Sequence, residues 1–205
     1  MSKIIIIDYG MGNLGSIINM LKFLGYESEI TSDVEKISKA AKLILPGVGA
    51  FHNGMKKIDT LGLRSLLDRK ALQEKIPILG ICLGMQLLTQ FSEEGNVEGL
   101  GWIDAETSKF SFDMREHRIP HMGWNSVHIE RDNILLKNIP VDPRFYFVHS
   151  YFVSCKNPGD IVCKTHYGIR FDSMIAHKNI FGCQFHPEKS HKFGMAILKN
   201  FAELE

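Results

Sequence analysis

Cys82 lies at the centre of Gly80-Ile81-Cys82-Leu83-Gly84. A thiol flanked by glycines two residues away on each side has the form of a nucleophile elbow, where a strand turns abruptly into a helix. The glycines leave room for the chain to double back, and the free N–H groups of the helix start favour a thiolate. Much later in the chain comes His186-Pro187-Glu188. Proline holds its own φ and keeps His186 out of helical geometry, so the sequence predicts an extended tripeptide with His186 and Glu188 on one side. A carboxylate beside an imidazole orients it and stabilises its charged form. A third loop, Pro46-Gly47-Val48-Gly49, follows an apolar run and offers backbone N–H groups to an oxyanion. Each loop alone has a plainer reading: an inert buried cysteine, a polar turn, a tight turn. At the strand ends of one small sheet, the cysteine elbow and the His-x-Glu are the parts of a Cys-His-Glu triad.

The elements that must position these loops are legible as alternating patterns. Lys3–Ile7 reads as a buried strand, being short, β-branched and continuous. Leu14, Ile17, Ile18, Leu21 and Leu24 follow helical spacing, and Gly25 ends that helix. A strand at Glu27–Thr31, a polar helix and the strand Leu43–Leu45 come next. Met55, Ile58, Leu66 and Leu67 then mark one helix, Ile76–Leu79 a strand, and Leu83–Phe91 a helix. Repeated β-α units imply a parallel sheet covered on both faces. Beyond residue 100 the strands shorten and alternate: Ser126–Glu130, Tyr146–Ser154, Ile161–Thr165, Met174–His177 and Ile180–Phe185. A last helix carries Phe193, Ala196, Ile197, Phe201 and Leu204 on one face. With no repeat or linker, residues 1–205 read as one α/β domain, a three-layer sandwich on a central, largely parallel mixed sheet.

Composition removes several classes of function. The 205 residues include 24 basic and 23 acidic ones, with no run of like charge. Neither a nucleic-acid groove nor a membrane-binding face is expected, and no apolar run is long enough to span a bilayer. The four cysteines (Cys82, Cys155, Cys163 and Cys183) contain no C-x-x-C pair. A reduced cytoplasmic protein without structural metal or cofactor is the simplest reading. Gly10-Met-Gly12-Asn-Leu-Gly15 matches the dinucleotide fingerprint G-x-G-x-x-G. That fingerprint needs an acidic residue closing the second strand; Glu29 lies inside the strand and Asp33 beyond it. The glycines read instead as a tight strand-to-helix turn allowing close approach by the neighbouring site and by a partner.

GICLGMQLL together with QFHPEKS resembles the triad-type, class I glutamine amidotransferases. IIDYGMGNLGSI, PHMGWN at 120–125 and YFVHSYF at 146–152 narrow the resemblance to the glutaminase subunits of imidazole glycerol phosphate synthase, over essentially the whole chain. The resemblance implies a flavodoxin-like class I fold and a cysteine thioester route from glutamine to glutamate and ammonia. Cys82 would be the nucleophile, His186 the proton carrier and Glu188 its orienting carboxylate. The N–H groups of Leu83 and, after a loop adjustment, Val48 would meet the oxyanion. Gly47, Gly49, Gln86, Glu94 and the His149-Ser150-Tyr151 segment would hold glutamine. Ammonia would pass to a (β/α)8-barrel cyclase subunit that forms imidazole glycerol phosphate and an aminoimidazole carboxamide ribonucleotide in histidine biosynthesis. Asn13, Trp124, Tyr146 and Lys189 match that heterodimer's interface.

Two positions depart from the pattern. His191 stands after HPEKS where a glycine or other small residue is expected, and Ser126 follows PHMGWN where a larger polar residue is often found. Neither touches the triad, but both bear on the acceptor. Paralogues of this subunit, paired with a cyclase-like partner, supply ammonia for amidino groups on surface sugars, and that is the alternative reading. A non-catalytic binding domain of the same fold is the third; intact Cys82, His186 and Glu188 argue against it.

Overall fold

The structure, a computed structural model, describes residues 3–112, 115 and 117–204. Its first half is β1 (Ile4–Ile7), α1 (Leu14–Phe23), β2 (Ser28–Thr31), α2 (Val34–Ser38), β3 (Lys42–Gly47), α3 (Phe51–Thr60), α4 (Arg64–Asp68), β4 (Ile78–Cys82) and α5 (Leu83–Leu87). The strands pair in parallel in the order β2-β1-β3-β4. Four consecutive β-branched isoleucines suit β1 because both sheet faces are covered. Ile4 and Ile6 pack with Ile17 and Leu21 of α1, whereas Ile5 and Ile7 join Phe51, Met55 and Ile58 of α3 on the opposite face. Strand alternation thus builds two cores, one on each side of the sheet.

The second half continues with β5 (Phe91–Ser92), β6 (Val97–Glu98), β7 (Ala105–Lys109), β8 (His121–Ser126), β9 (His128–Ile129), β10 (Arg144–His149), β11 (Tyr151–Cys155), β12 (Ile161–Tyr167), β13 (Ile169–His177), β14 (Ile180–Cys183) and α6 (His191–Ala202). β14 returns parallel to β4, so the Cys82 and His186 loops leave adjacent strands at the same edge. From β14 the sheet runs antiparallel through β13, β11 and β7, with β12 and β9 branching from β13. β8 and β10 form a separate antiparallel ribbon. Among the described residues no helix is long and apolar enough to cross a membrane.

Several boundaries differ from the sequence reading. The expected helix over Met55–Leu67 is two, broken at Gly62, which adopts φ +65°. The helix expected to reach Phe91 stops at Leu87, because the chain must turn there to enter β5. Tyr146–Ser154 is not one strand: β10 ends at His149, and β11 begins at Tyr151 in the other sheet. Ser126–Glu130 likewise divides between β8 and β9. The last strand ends at Cys183 rather than Phe185. The short strands β5, β6 and β7 carry no strong apolar alternation and escape sequence inspection.

Candidate active site

The elbow is built by exclusion. Cys82 has φ +53° and ψ −110°, a conformation that costs an L-residue about 1–3 kcal/mol and persists only where its surroundings enforce it. Gly80 and Gly84 do the enforcing. A Cβ on Gly80 would lie 2.7 Å from the Gly84 carbonyl oxygen, and one on Gly84 would collide with the Leu45 carbonyl oxygen of β3. Only glycine lets α5 pack this close to two strands. α5 has a single turn, so its unpaired first N–H groups, including that of Leu83, matter here rather than a long helix dipole. The Cys82 sulfur is nearly buried, 3.9 Å from the Val148 carbonyl oxygen, and accepts from Gln184 Nε2 at 3.7 Å.

His186 and Glu188 are brought together by a turn, which corrects the expected extended tripeptide. His186 is extended, but Pro187–Lys189 is a single 3-10 turn. The Ser190 hydroxyl pins it, donating to the His186 carbonyl oxygen at 2.6 Å and accepting from the Tyr146 N–H at 3.0 Å. A Cβ on Gly194 would fall on the Pro187 carbonyl oxygen, so α6 presses against the same turn. The result places Glu188 Oε1 2.7 Å from His186 Nδ1. Nε2 is buried without a hydrogen bond of ordinary geometry. Burial opposes the charge on His186, but interaction with the Cys82 sulfur and with Glu188 outweighs it and raises its pKa.

The Gly47-Val48-Gly49 loop is braced from below by the turn after β1. The Tyr9 hydroxyl donates to the Pro46 carbonyl oxygen at 2.6 Å. Gly12, at φ +119°, comes so near that a Cβ there would sit 3.5 Å from Gly47 Cα. The glycine-rich turn of the sequence is therefore a platform for this loop. Gly47 lies behind the loop, where a Cβ would meet Leu83 and the Tyr9 hydroxyl; Val48 is about half exposed. Glu94 Oε2 accepts from the Phe51 N–H at 2.7 Å, anchoring the first turn of α3 immediately after the loop.

These parts enclose a cleft of about 290 Å³ lined by Val48, Gly49, Cys82, Leu83, Gln86, Glu94, Pro120, Val148, His149, Ser150 and Tyr151. Larger surface depressions lie around Lys22 and Tyr26 and around Ile134 and Lys137, but neither is lined by a cysteine or a histidine. Of the residues expected to hold glutamine, all but Gly47 line the cleft. The His149 ring is fully engaged, its nitrogens lying 2.7 Å from the Tyr151 carbonyl oxygen and 2.9 Å from His121 Nδ1. Gln86 Nε2 donates to the Tyr151 carbonyl oxygen and to Gln184 Oε1. Sequence reasoning missed Gln184, Tyr9 and His121. The alternation in NIFGCQF sets Gln184 on the face opposite to Cys183 and Phe185 but does not say what stands across from it.

On the rim, Trp124, Tyr146 and Lys189 form one patch. Trp124 is half exposed and meets Tyr146 edge-on at 6.4 Å between centroids; Lys189 Nζ stands 5.7 Å from the Tyr146 ring centre. The unexpected His191 belongs to this patch. Its φ of +45° is a glycine-favouring conformation, and its ring stacks on Trp124 at 5.4 Å and 6°. Asn13 is exposed at the head of α1, the helix that packs beside the 187–189 turn.

The buried histidines imply acid lability. Burial, with His117 adding to it, pushes His121 from 6.5 down to about 4. Burial and the neighbouring His121 push His149 to about 3, against the hydrogen bond that it donates to the Tyr151 carbonyl oxygen. Between pH 6.5 and 4 the unfolded chain takes up protons that the folded chain refuses, so stability falls as pH falls. His186, shifted upward, contributes in full throughout that window and adds no slope. Loss should be on the order of several kcal/mol by pH 4. Urea midpoints measured from pH 7 to 4.5 should show it, and His121→Asn should flatten the slope. An unchanged slope in that variant would place the acid sensitivity elsewhere.

A strained thiol at a strand–helix elbow, a buried imidazole–carboxylate pair and a glycine loop at adjacent strand ends define a cysteine amidohydrolase of the α/β type. The chain belongs to the class-I glutamine amidotransferase family, whose model matches residues 5–204. It is 54% identical to imidazole glycerol phosphate synthase subunit HisH 2 of Methanococcus maripaludis, over 97% of this chain and 98% of that one. It is 48% identical to the HisH 2 subunit of Pseudomonas aeruginosa, over 98% and 99%. Among solved structures, a glutamine amidotransferase superposes with a TM-score of 0.75 at 17% identity, covering 98% and 99% of the two chains. PurLQS from Thermotoga maritima gives 0.73 at 16%, covering 98% of each. These distant structures share the fold.

Proposed function

We propose that this chain is the glutaminase subunit of an imidazole glycerol phosphate synthase, hydrolysing glutamine and delivering ammonia to a (β/α)8-barrel cyclase subunit in the cytoplasm. The observation carrying the chemistry is Cys82, held at φ +53° on the strand next to the one that leads to His186 and Glu188. The Cys82 thiolate attacks the glutamine γ-carboxamide carbon, and the oxyanion takes the Leu83 N–H. The tetrahedral adduct collapses as the C–N bond breaks, and the His186 imidazolium gives its proton to the departing nitrogen, releasing ammonia. Water then attacks the thioester with His186 as base, freeing glutamate and the thiolate. Glu188 keeps the imidazole oriented through both steps.

The second oxyanion donor in this reading is the Val48 N–H, supplied when the Gly47-Val48-Gly49 peptides rotate on their Tyr9 and Gly12 platform. One missing donor costs roughly 10²–10³ in rate. The isolated chain should therefore release glutamate slowly and accelerate by that factor with its barrel partner and an acceptor analogue. Full activity in the isolated chain, unchanged by either addition, would rule the gate out. Trp124, Tyr146, Lys189 and Asn13 form the partner face, and Trp124→Ala should weaken assembly by about 2 kcal/mol. Normal assembly of that variant, followed by calorimetry, would remove Trp124 from the interface.

His191 favours a second reading. It stacks on Trp124 in the partner face, and the two relatives named above both carry the number 2 in their names. A paralogue serving an amidino-sugar pathway through a cyclase-like partner would alter this patch and keep the triad. Reconstitution with the histidine-pathway cyclase decides between them: ammonia transfer supports the first reading, and glutaminase stimulation only by another barrel protein supports the second.

A further inference from the structure

A single line of hydrogen bonds runs from the partner-facing ribbon to the nucleophile. Asn125 Nδ2 donates to the His166 carbonyl oxygen at 3.0 Å and lies 3.2 Å from His121 Nε2. His121 Nδ1 is 2.9 Å from His149 Nε2, and His149 Nδ1 is 2.7 Å from the Tyr151 carbonyl oxygen. The same carbonyl accepts from Gln86 Nε2 at 3.1 Å, and Gln86 Nε2 donates again to Gln184 Oε1 at 3.0 Å. Gln184 Nε2 reaches the Cys82 sulfur at 3.7 Å.

The line admits one assignment of protons. A carbonyl only accepts, so His149 carries its hydrogen on Nδ1 and accepts at Nε2. His121 must then donate from Nδ1 and accept from Asn125 at Nε2. Both rings are neutral, and a proton added to either would set two donors against each other. The amide orientations follow as well. Both Gln86 amide hydrogens are committed, to Tyr151 and to Gln184, which leaves the Gln86 oxygen as the group for a ligand in the cleft. His121 and His149 are 2% and 6% exposed. Two apolar rings would fill this space without the cost of desolvating four nitrogens, so the orientation they impose is what distinguishes them.

We infer that His121 and His149 are positioning residues for glutamine: with Asn125 they hold the Tyr151 carbonyl, and through it the Gln86 amide, in the orientation that receives the substrate beside Cys82. This rests on the glutaminase reading and extends it to residues outside the triad. His121 offers a test that separates orientation from packing, because its ring lies between Phe147, at 4.7 Å, and Tyr167, at 4.0 Å, both at 24°. His121→Phe preserves the ring contacts and removes the donor to His149. His121→Asn loses the ring and keeps an amide hydrogen near the position of Nδ1.

In the complex with its partner, His121→Phe should raise the KM for glutamine about tenfold while changing kcat less than about threefold. His121→Asn should recover most of that loss, although it melts lower. Synthesis driven by ammonium chloride should be unchanged in both variants. Asn125→Ala, which only loosens the outer end, should raise KM about threefold and provides the measurement if His121→Phe does not fold. Wild-type KM in both His121→Phe and Asn125→Ala overturns the inference while leaving the glutaminase reading intact. So does the reverse ranking, with His121→Phe better than His121→Asn, because it would make the ring's packing the whole of its role. Absence of glutamine hydrolysis by the wild-type complex overturns both readings.

Discussion

Cys82→Ala protein should release glutamate from glutamine at least about 10⁴-fold more slowly than wild type, while still assembling with its partner and supporting synthesis from added ammonium. The loss is that large because no other group in the cleft can form the thioester. Cys155, Cys163 and Cys183 do not line the cleft, and burial pushes the Cys163 thiol up to about 12. Burial also raises Cys183 well above the ordinary thiol range. Cys82→Ser should fare little better, since a hydroxyl there lacks the thiolate that His186 stabilises. The same position stores strain. Cys82→Gly should melt above Cys82→Ala by roughly 2–4 °C, because glycine accepts φ +53° without a Cβ penalty. More than a trace of glutaminase in Cys82→Ala would refute the nucleophile assignment. Equal melting of the glycine and alanine variants would refute the strain.

His186→Asn should lose nearly as much, about 10⁴-fold, because one ring serves as acid in the first half-reaction and base in the second. Glu188→Gln should cost less, on the order of 10²-fold. Its amide can still accept from His186 Nδ1 but no longer stabilises the imidazolium, which lowers the His186 pKa from its raised position. The pH profile carries the distinguishing signature. His186 must hold the proton that it gives to the departing nitrogen, so its lowered pKa in Glu188→Gln should move the basic limb of kcat/KM to lower pH. An unshifted limb with undiminished rate would remove Glu188 from the mechanism.

What the sequence by itself determined is what short-range sterics dictate. Glycines two residues either side of Cys82 have no other reason to flank a buried thiol so regularly, and they do press on the Leu45 carbonyl and on the start of α5. The β-branched run at Ile4–Ile7 and the β-α alternation up to Leu87 likewise follow from local pattern and survive in the fold. Tertiary structure decided everything that depends on partners distant in the chain. Tyr146–Ser154 reads as one strand because its apolar residues are continuous, yet His149 closes one sheet with His121 and Tyr151 opens along Lys109 in another. Gln184 is only a polar residue in an apolar run until the parallel pairing of β14 with β4 brings it, 102 positions from Cys82, to the sulfur. Tyr9 gains its role from a carbonyl 37 residues away, and His121 from an imidazole 28 residues away. Periodicity reports which face a side chain takes relative to its neighbours in sequence. It says nothing about what stands opposite, and the hydrogen bonds that bring Gln184, Tyr9 and His121 into this cleft are made across that gap.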